Sequence, residues 1–350
     1  MSAGSLVRQG SVAYLLGICL VATLGGFLFG YDTAVISGAI GALQSRFDLG
    51  PTLKGWAASS ALLGCILGVV LAGPVSDRLG RRRALILAAV LFLVSALGTA
   101  FPRTLAEFVI FRIVGGIGVG IASMTSPMYI AEVSPRQIRG RMVSLNQFAI
   151  VFGMLVVYFV NYYISLQGDE AWNVARGWRW MFGSEALPAF ALMVLLFFVP
   201  PTPRWLVKQG RTSEARRILQ RIGGPQHAER ELDEIARTIS HKSESMAQLF
   251  RPGMRIALVI GVALAILQQV TGINVFLYYA PEIFKKLGSA ASSALLQTVV
   301  VGGVNMAFTL IAIWTVDTLG RKPLMIFGST GMAICLFALG LAASLHHIEA

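Results

Sequence analysis

Two ionisable residues stand alone in long uncharged stretches of this 350-residue chain. Asp32 is the only charge between Arg8 and Arg46, and Arg112 opens a charge-free run that lasts until Glu132. An ionisable group in apolar surroundings is costly and marks a functional position by default. A carboxyl facing a guanidinium there acts as a proton switch. Desolvation favours the neutral acid, the cation favours the carboxylate, and small rearrangements tip the balance. Arg stays charged throughout. Protonating Asp32 would release Arg112 and change how the elements carrying them pack. The plainer alternative is an interfacial Asp and an Arg whose head reaches the headgroups.

A second group is polar without charge. Gln268 and Gln269 precede Thr271 and Gly272, and Asn274, Tyr278 and Tyr279 follow. On an unbroken helix Asn274 lies far round from Gln268. A break at Thr271–Gly272 brings the amides and hydroxyls toward one cavity, as in transporter helices interrupted at their substrate sites. Amides and phenols suit neutral polyols, because they offer donors and acceptors without charge. Asn146, Gln147, Asn305 and Trp314 could complete that cavity; otherwise these amides only join helices. A third group is charged. Glu132 and Arg139, Arg179 with Glu185, Asp77 with Arg81, and Asp317 with Arg321 are expected near one face as a network that latches it shut. Loop ion pairs are weak singly, yet a network present in one conformation biases a two-state equilibrium.

The elements that must position these groups are membrane helices. Hydrophobic residues make up 55% of the chain and charged residues 13%, with a mean hydropathy of +0.70. A soluble chain carries about a quarter charged residues. A span needs about 20 apolar residues. About nine runs qualify: 12–40, 56–76, 84–101, 105–130, 143–164, 180–200, 256–287, 293–316 and 324–345. With the amino terminus inside, 21 Lys and Arg residues fall on the cytoplasmic side and seven outside, which decides the orientation. Asp32 and Arg112 then lie at comparable depth in the outer half, on antiparallel spans, so pairing is open to them.

The net charge of +12 sits in connectors and not on one soluble face, which argues against a nucleic-acid partner. Cys19, Cys65 and Cys335 lie in apolar runs without C-x-x-C spacing, and none of the four histidines forms a ligand motif. No metal or other cofactor is expected. No nucleophile–base pair appears within the spans, so an enzyme is not expected.

Residues 201–255 differ in kind. Ser213–Ile222 and Glu229–Lys242 are charged and helix-favouring, with Leu219, Ile222, Leu232, Ile235 and Ile239 at helical spacing. They are expected as amphipathic cytoplasmic helices between an amino-terminal six-helix half, 1–200, and a carboxy-terminal part, 256–350. An internal repeat supports two halves: Asp77-Arg78-Leu79-Gly80-Arg81-Arg82 returns as Asp317-Thr318-Leu319-Gly320-Arg321-Lys322, six spans later on the same side. Six spans precede the connector and three follow it. A fragment, or a natural truncation lacking three helices, is the expectation.

These residues resemble the sugar porter family of the major facilitator superfamily. The likeness rests on Phe29-Gly30-Tyr31-Asp32 through Gly38, on Asp77-Arg78-x-Gly80-Arg81-Arg82, and on Ala131-Glu132-Val133-Ser134-Pro135 with Arg139-Gly140. Pro203-Arg204-Trp205-Leu206 and Gln268-Gln269-x-x-Gly272-x-Asn274 complete it. The resemblance implies an all-α major facilitator bundle with about nine of twelve spans present. It implies Asp32 as the proton site with Arg112 as partner, and a sugar pocket lined by Gln147, Gln268, Gln269, Asn274, Tyr278 and Asn305. Arg204 joins the charged network. Facilitative glucose transporters of the family typically lack an acid at the position of Asp32, so symport is favoured over uniport. The expected activity is proton-coupled uptake of a pentose or hexose, D-xylose first, by a monomer in the cell membrane. The alternatives are a glucose, galactose or inositol transporter, facilitative or proton-coupled, or a truncated relative that binds sugar without moving it. One departure is visible: the family's P-E-S-P-R reads Pro201-Thr202-Pro203-Arg204 here, without the acid.

Overall fold

Apolar runs of this length in a bilayer must satisfy every backbone group internally, and helices do so. The computed structural model describes residues 10–240 and 252–344, and among them it is helical throughout. The amino-terminal helices are α1 (Val12–Phe47), α2 (Pro51–Leu79), α3 (Arg81–Ala100), α4 (Leu105–Val133) and α5 (Arg139–Ser165). Ser11 accepts the Tyr14 amide to start α1, and Thr104 caps α4 through the Glu107 amide, the usual way of satisfying free donors at a helix start. A short α6 (Glu170–Trp172) and a π-helical turn, Asn173–Gly177, lead into α7 (Trp178–Gly183) and α8 (Ala186–Leu195).

Beyond them, α9 (Pro203–Lys208), α10 (Thr212–Gly223) and α11 (Pro225–Ser240) form a small cluster with its own core of Trp205, Leu206, Ala215, Leu219, Ala228 and Leu232. This cluster docks on the end of the bundle where α1 begins. The Trp205 indole donates to the Asp77 carbonyl at 3.2 Å, and the Ser11 amide donates to the Arg221 carbonyl at 2.9 Å. Arg136 pairs with Glu234. Gly80, at φ +88°, lets the Trp205 ring lie against the turn between α2 and α3, a conformation that glycine adopts without steric cost.

The remaining helices are α12 (Pro252–Val270), α13 (Ile273–Lys286), α14 (Ala291–Leu319) and α15 (Arg321–Ser344). Seven helical stretches among the described residues are long and apolar enough to cross a membrane, with α12 and α13 counted as one. The expected run at 180–200 is helical as far as Leu195, with a tightened turn at Ser184–Glu185 where both residues keep right-handed helical dihedrals. That turn separates α7 from α8, and neither piece alone is long enough to count among the seven. The exterior carries large apolar side chains such as Ile66, Val70, Leu187 and Phe198, as a lipid-facing surface does.

Glycines set how closely the amino-terminal helices meet. Gly64 and Gly68 of α2 face Gly116 and Gly120 of α4. A Cβ at Gly64 would enter the carbonyl of Ile113, and one at Gly116 the carbonyl of Ala61. In the same way Gly30 of α1 lies against the Ile150 carbonyl of α5, and Gly153 of α5 against that of Phe27. Small residues at these contacts replace the hydrophobic drive that lipid removes. The carboxy-terminal helices meet this body through side chains: Gly302 of α14 abuts the Tyr158 ring, and the Tyr158 hydroxyl reaches the Leu277 carbonyl of α13. Gly64→Val should lower the thermal midpoint of the purified protein in detergent by roughly 5 °C. Gly73→Ala, whose Cβ would meet open space, should not lower it.

Candidate functional site

Asp32 and Arg112 do meet. The Arg112 Nη1 donates to Asp32 Oδ1 at 2.7 Å and to the Asp32 backbone carbonyl at 3.3 Å. Each residue is only 1% exposed. Such a short bond between an ionised donor and an ionised acceptor belongs to the stronger class of hydrogen bonds. Beside it Gly115 makes room for Ser95, whose hydroxyl a Cβ there would overlap. The guanidinium carbon also lies 5.6 Å from the centre of the Phe182 ring on α7, a favourable cation–π contact.

Glu185 requires a correction. It is expected within the charged network at one face, yet it is 1% exposed inside the bundle. Its side chain is within hydrogen-bonding reach of Asp32 and within range of the Arg112 charge. One of its carboxyl oxygens has no partner among the described residues. Helical phase explains the placement. The helix starts at Trp178, so Glu185 is carried about two turns into the bundle, and the hydroxyls of Ser184 and Tyr31 lie 2.7 Å apart across to α1. The sequence signal existed: Glu185 is the only charge between Arg179 and Arg204, the same isolation that singles out Asp32. Two carboxyls and one guanidinium in one apolar cavity are neutral only when the carboxyls share a proton, and uncompensated charge there is expensive.

The uncharged polar group is partly assembled. α12 stops at Val270, Gly272 turns through φ +75°, and α13 starts at Ile273. The expected break at Thr271–Gly272 is therefore present. Across it the Asn274 amide donates to Gln269 Oε1 at 2.9 Å. One turn on, Tyr278 is buried between α13 and the amino-terminal helices and feels the charges of Arg112 and Asp32. Gln268 and Gln147 are exposed, and Asn305 of α14 is half-buried. No hydrogen bond among the described residues ties these three to the Gln269–Asn274 pair.

The charged group splits in the same manner. Arg81 bonds Asp77 through Nη1 and Glu132 through Nη2, each at 3.0 Å. Arg139 donates to the Ser134 carbonyl. Arg139 and Arg204 line a 260 Å³ cavity with Glu132, Glu231 and Glu234. Arg321 is exposed at the start of α15. Asp317 lies in α14, but its side chain is outside the described residues. Sequence reasoning also missed Lys54 and Glu282, whose ammonium and carboxylate join α2 to α13 at 3.0 Å. Nothing local signals that contact, because 228 positions separate the two residues.

A bundle with this buried group and a broken helix can be compared with known proteins. The model of the family described as sugar (and other) transporter matches residues 18–349. The chain is 49% identical to the D-xylose-proton symporter of Escherichia coli (strain K12), covering 95% of this chain and 73% of that one. It is 46% identical to a glucose transport protein of Synechocystis, covering 93% and 71%. Among solved structures, the partially occluded inward open conformation of the xylose transporter XylE from E. coli matches with a TM-score of 0.86 at 48% identity, over 94% of this chain and 79% of that chain. With its glycine-seamed helices and an interrupted span, the chain belongs to the sugar (and other) transporter family, and its bundle is of the major facilitator type.

Proposed function

We propose that this protein is a sugar–proton symporter that moves a pentose or hexose, D-xylose first, across the cell membrane by alternating access. The observation that carries this is the buried Arg112–Asp32 bond with Glu185 beside it. A neutral sugar needs no buried acid for binding, so an acid kept at that cost serves the coupled ion. The 49% identity to a D-xylose-proton symporter supports the substrate class.

Asp32 is the proton site and Arg112 its partner. Taking up a proton removes the charge from the Asp32 end of the 2.7 Å bond. The guanidinium, still charged, then turns its pairing toward Glu185 at the α7–α8 junction. Proton occupancy thereby shifts a strong contact from α1–α4 to α4–α8, which is the differential interaction a two-state carrier requires. Tyr278 lies within electrostatic range of the same pair and relays the change to the sugar-binding segment. Gln269 and Asn274 bind sugar hydroxyls, with Gln147, Gln268, Tyr278 and Asn305 as further walls. The face carrying Asp77, Arg81, Glu132, Arg139 and Arg204 is cytoplasmic, as the excess of Lys and Arg there favours. There Asp317 and Arg321 complete a charge network that forms in one conformation. Residues 1–200 act as one half and 256–350 as part of the other, joined by the 201–255 connector, in a monomer that needs only sugar, proton and lipid.

In proteoliposomes, adding D-xylose outside should carry protons inward with the sugar, read by an internal pH dye. Sugar entry without proton movement would sink symport. Asp32→Asn should abolish accumulation against a gradient and the proton signal together, while exchange of labelled for unlabelled sugar persists. Asn274→Ala should raise the sugar concentration for half-maximal exchange by about tenfold, the loss of one or two hydrogen bonds to the sugar, and leave the proton-to-sugar ratio unchanged.

A further inference from the structure

The end of the bundle opposite the α9–α11 cluster holds a second, separate arrangement of charge. Near the start of α2, the Lys54 ammonium donates to Glu282 Oε2 of α13 at 3.0 Å and to Gln44 Oε1 of α1 at 2.7 Å. It also stands 5.8 Å from the centre of the Tyr279 ring. Glu282 accepts from Lys285 at 3.2 Å. Gly41 of α1 lies beneath this carboxylate, and a Cβ there would come within 2.7 Å of Glu282 Oε1. The missing side chain is thus a notch that the carboxylate fills. Lys54 and Glu282 side chains are 15% and 23% exposed, so solvent screens them less than a surface pair.

Position gives this bond its meaning. α1 and α2 precede the α9–α11 connector and α13 follows it, so the bond joins the parts that rock against each other in alternating access. Glu282 is one turn beyond Tyr278 and follows Tyr279 by three residues, so its placement fixes the segment lining the sugar pocket. Beside the bond is a 380 Å³ cavity, lined among others by Ser37, Gln44, Asn173, Glu282 and Ser292. It reaches down α1 to Ser37, five residues from Asp32.

We infer that Lys54 and Glu282 form an outer latch, a pair of positioning residues that hold α13 against α1 and α2 and set how readily the sugar pocket opens outward. The inference takes its orientation and its pocket from the symporter proposal. The bond exists only while α13 rests on the Gly41 notch, so it stabilises the outward-closed form alone. Removing it raises the outward-open population by the bond's own worth.

Ser37→Cys supplies the readout, because Ser37 is 2% exposed and lies on the path that opening would uncover. The measurement is its labelling rate by a membrane-impermeant maleimide in right-side-out vesicles, above that of the protein's own cysteines. In this background Lys54→Met and Glu282→Gln should each label about two- to fivefold faster. Lys54→Arg keeps the charge and should label at the parent rate. The double variant should label more slowly than the product of the two single effects, since both remove the bond the two residues share. Unchanged labelling in both single variants, or a double variant whose effects multiply, overturns the latch. Labelling needs no transport, so expected rates in a protein that moves no protons with sugar would refute symport and leave the latch standing.

Discussion

The bond between Arg112 and Asp32 constrains the rest of the molecule more than any other contact. A guanidinium deep in an apolar bundle must have its charge met, and every nearby element is shaped to meet it. Gly115 withholds a side chain where Ser95 packs beside the pair. Phe182 offers its ring face to the cation, and the turn between α7 and α8 carries Glu185 as a second acid. The glycine contacts of α1 with α5 and of α2 with α4 keep water out of this region by bringing backbones together. Deleting the cation would strand two acids; deleting Asp32 would leave the cation with one. The arrangement tolerates a change of proton far better than a change of residue.

One helix tightens and one breaks where chemistry is expected. The tightened turn at Ser184–Glu185 carries the inward acid, and the break at Thr271–Gly272 brings Asn274 onto Gln269. Breaks free backbone groups that a bilayer cannot satisfy, so they persist only where side chains or a polar cavity replace the lost bonds. Ser184 donates to the Met181 carbonyl and Thr271 to the Gln268 carbonyl, each covering one such group. The two features fall on opposite sides of the connector.

Much of this was legible from residue order because membrane spans punish charge. Asp32 and Arg112 were visible through isolation, and the helix break through a Thr-Gly pair flanked by amides. Asp77, Arg81 and Glu132 were recognisable as a cluster that the turns bring together. Glu185 was legible by the same rule as Asp32, but Arg179 six residues earlier made it look like a boundary charge. The Lys54–Glu282 bond lay beyond inference: each is an ordinary end-of-span charge, and only packing across 228 positions makes them partners. Isolation can be read along a chain; encounter cannot.

The glycine seams carry a mechanical consequence. Where backbone touches backbone, few side chains lie between the helices to slide or to exchange rotamers, so such a seam resists shear. The α1–α5 and α2–α4 seams weld the amino-terminal helices into a single stiff plate. The contacts of α13 and α14 with that plate run instead through a tyrosine ring, a carboxylate in a notch and a lone hydroxyl. Motion must concentrate at that softer boundary. The molecule thus behaves less like a flexing barrel than like a door, with its hinge line written in the distribution of glycine.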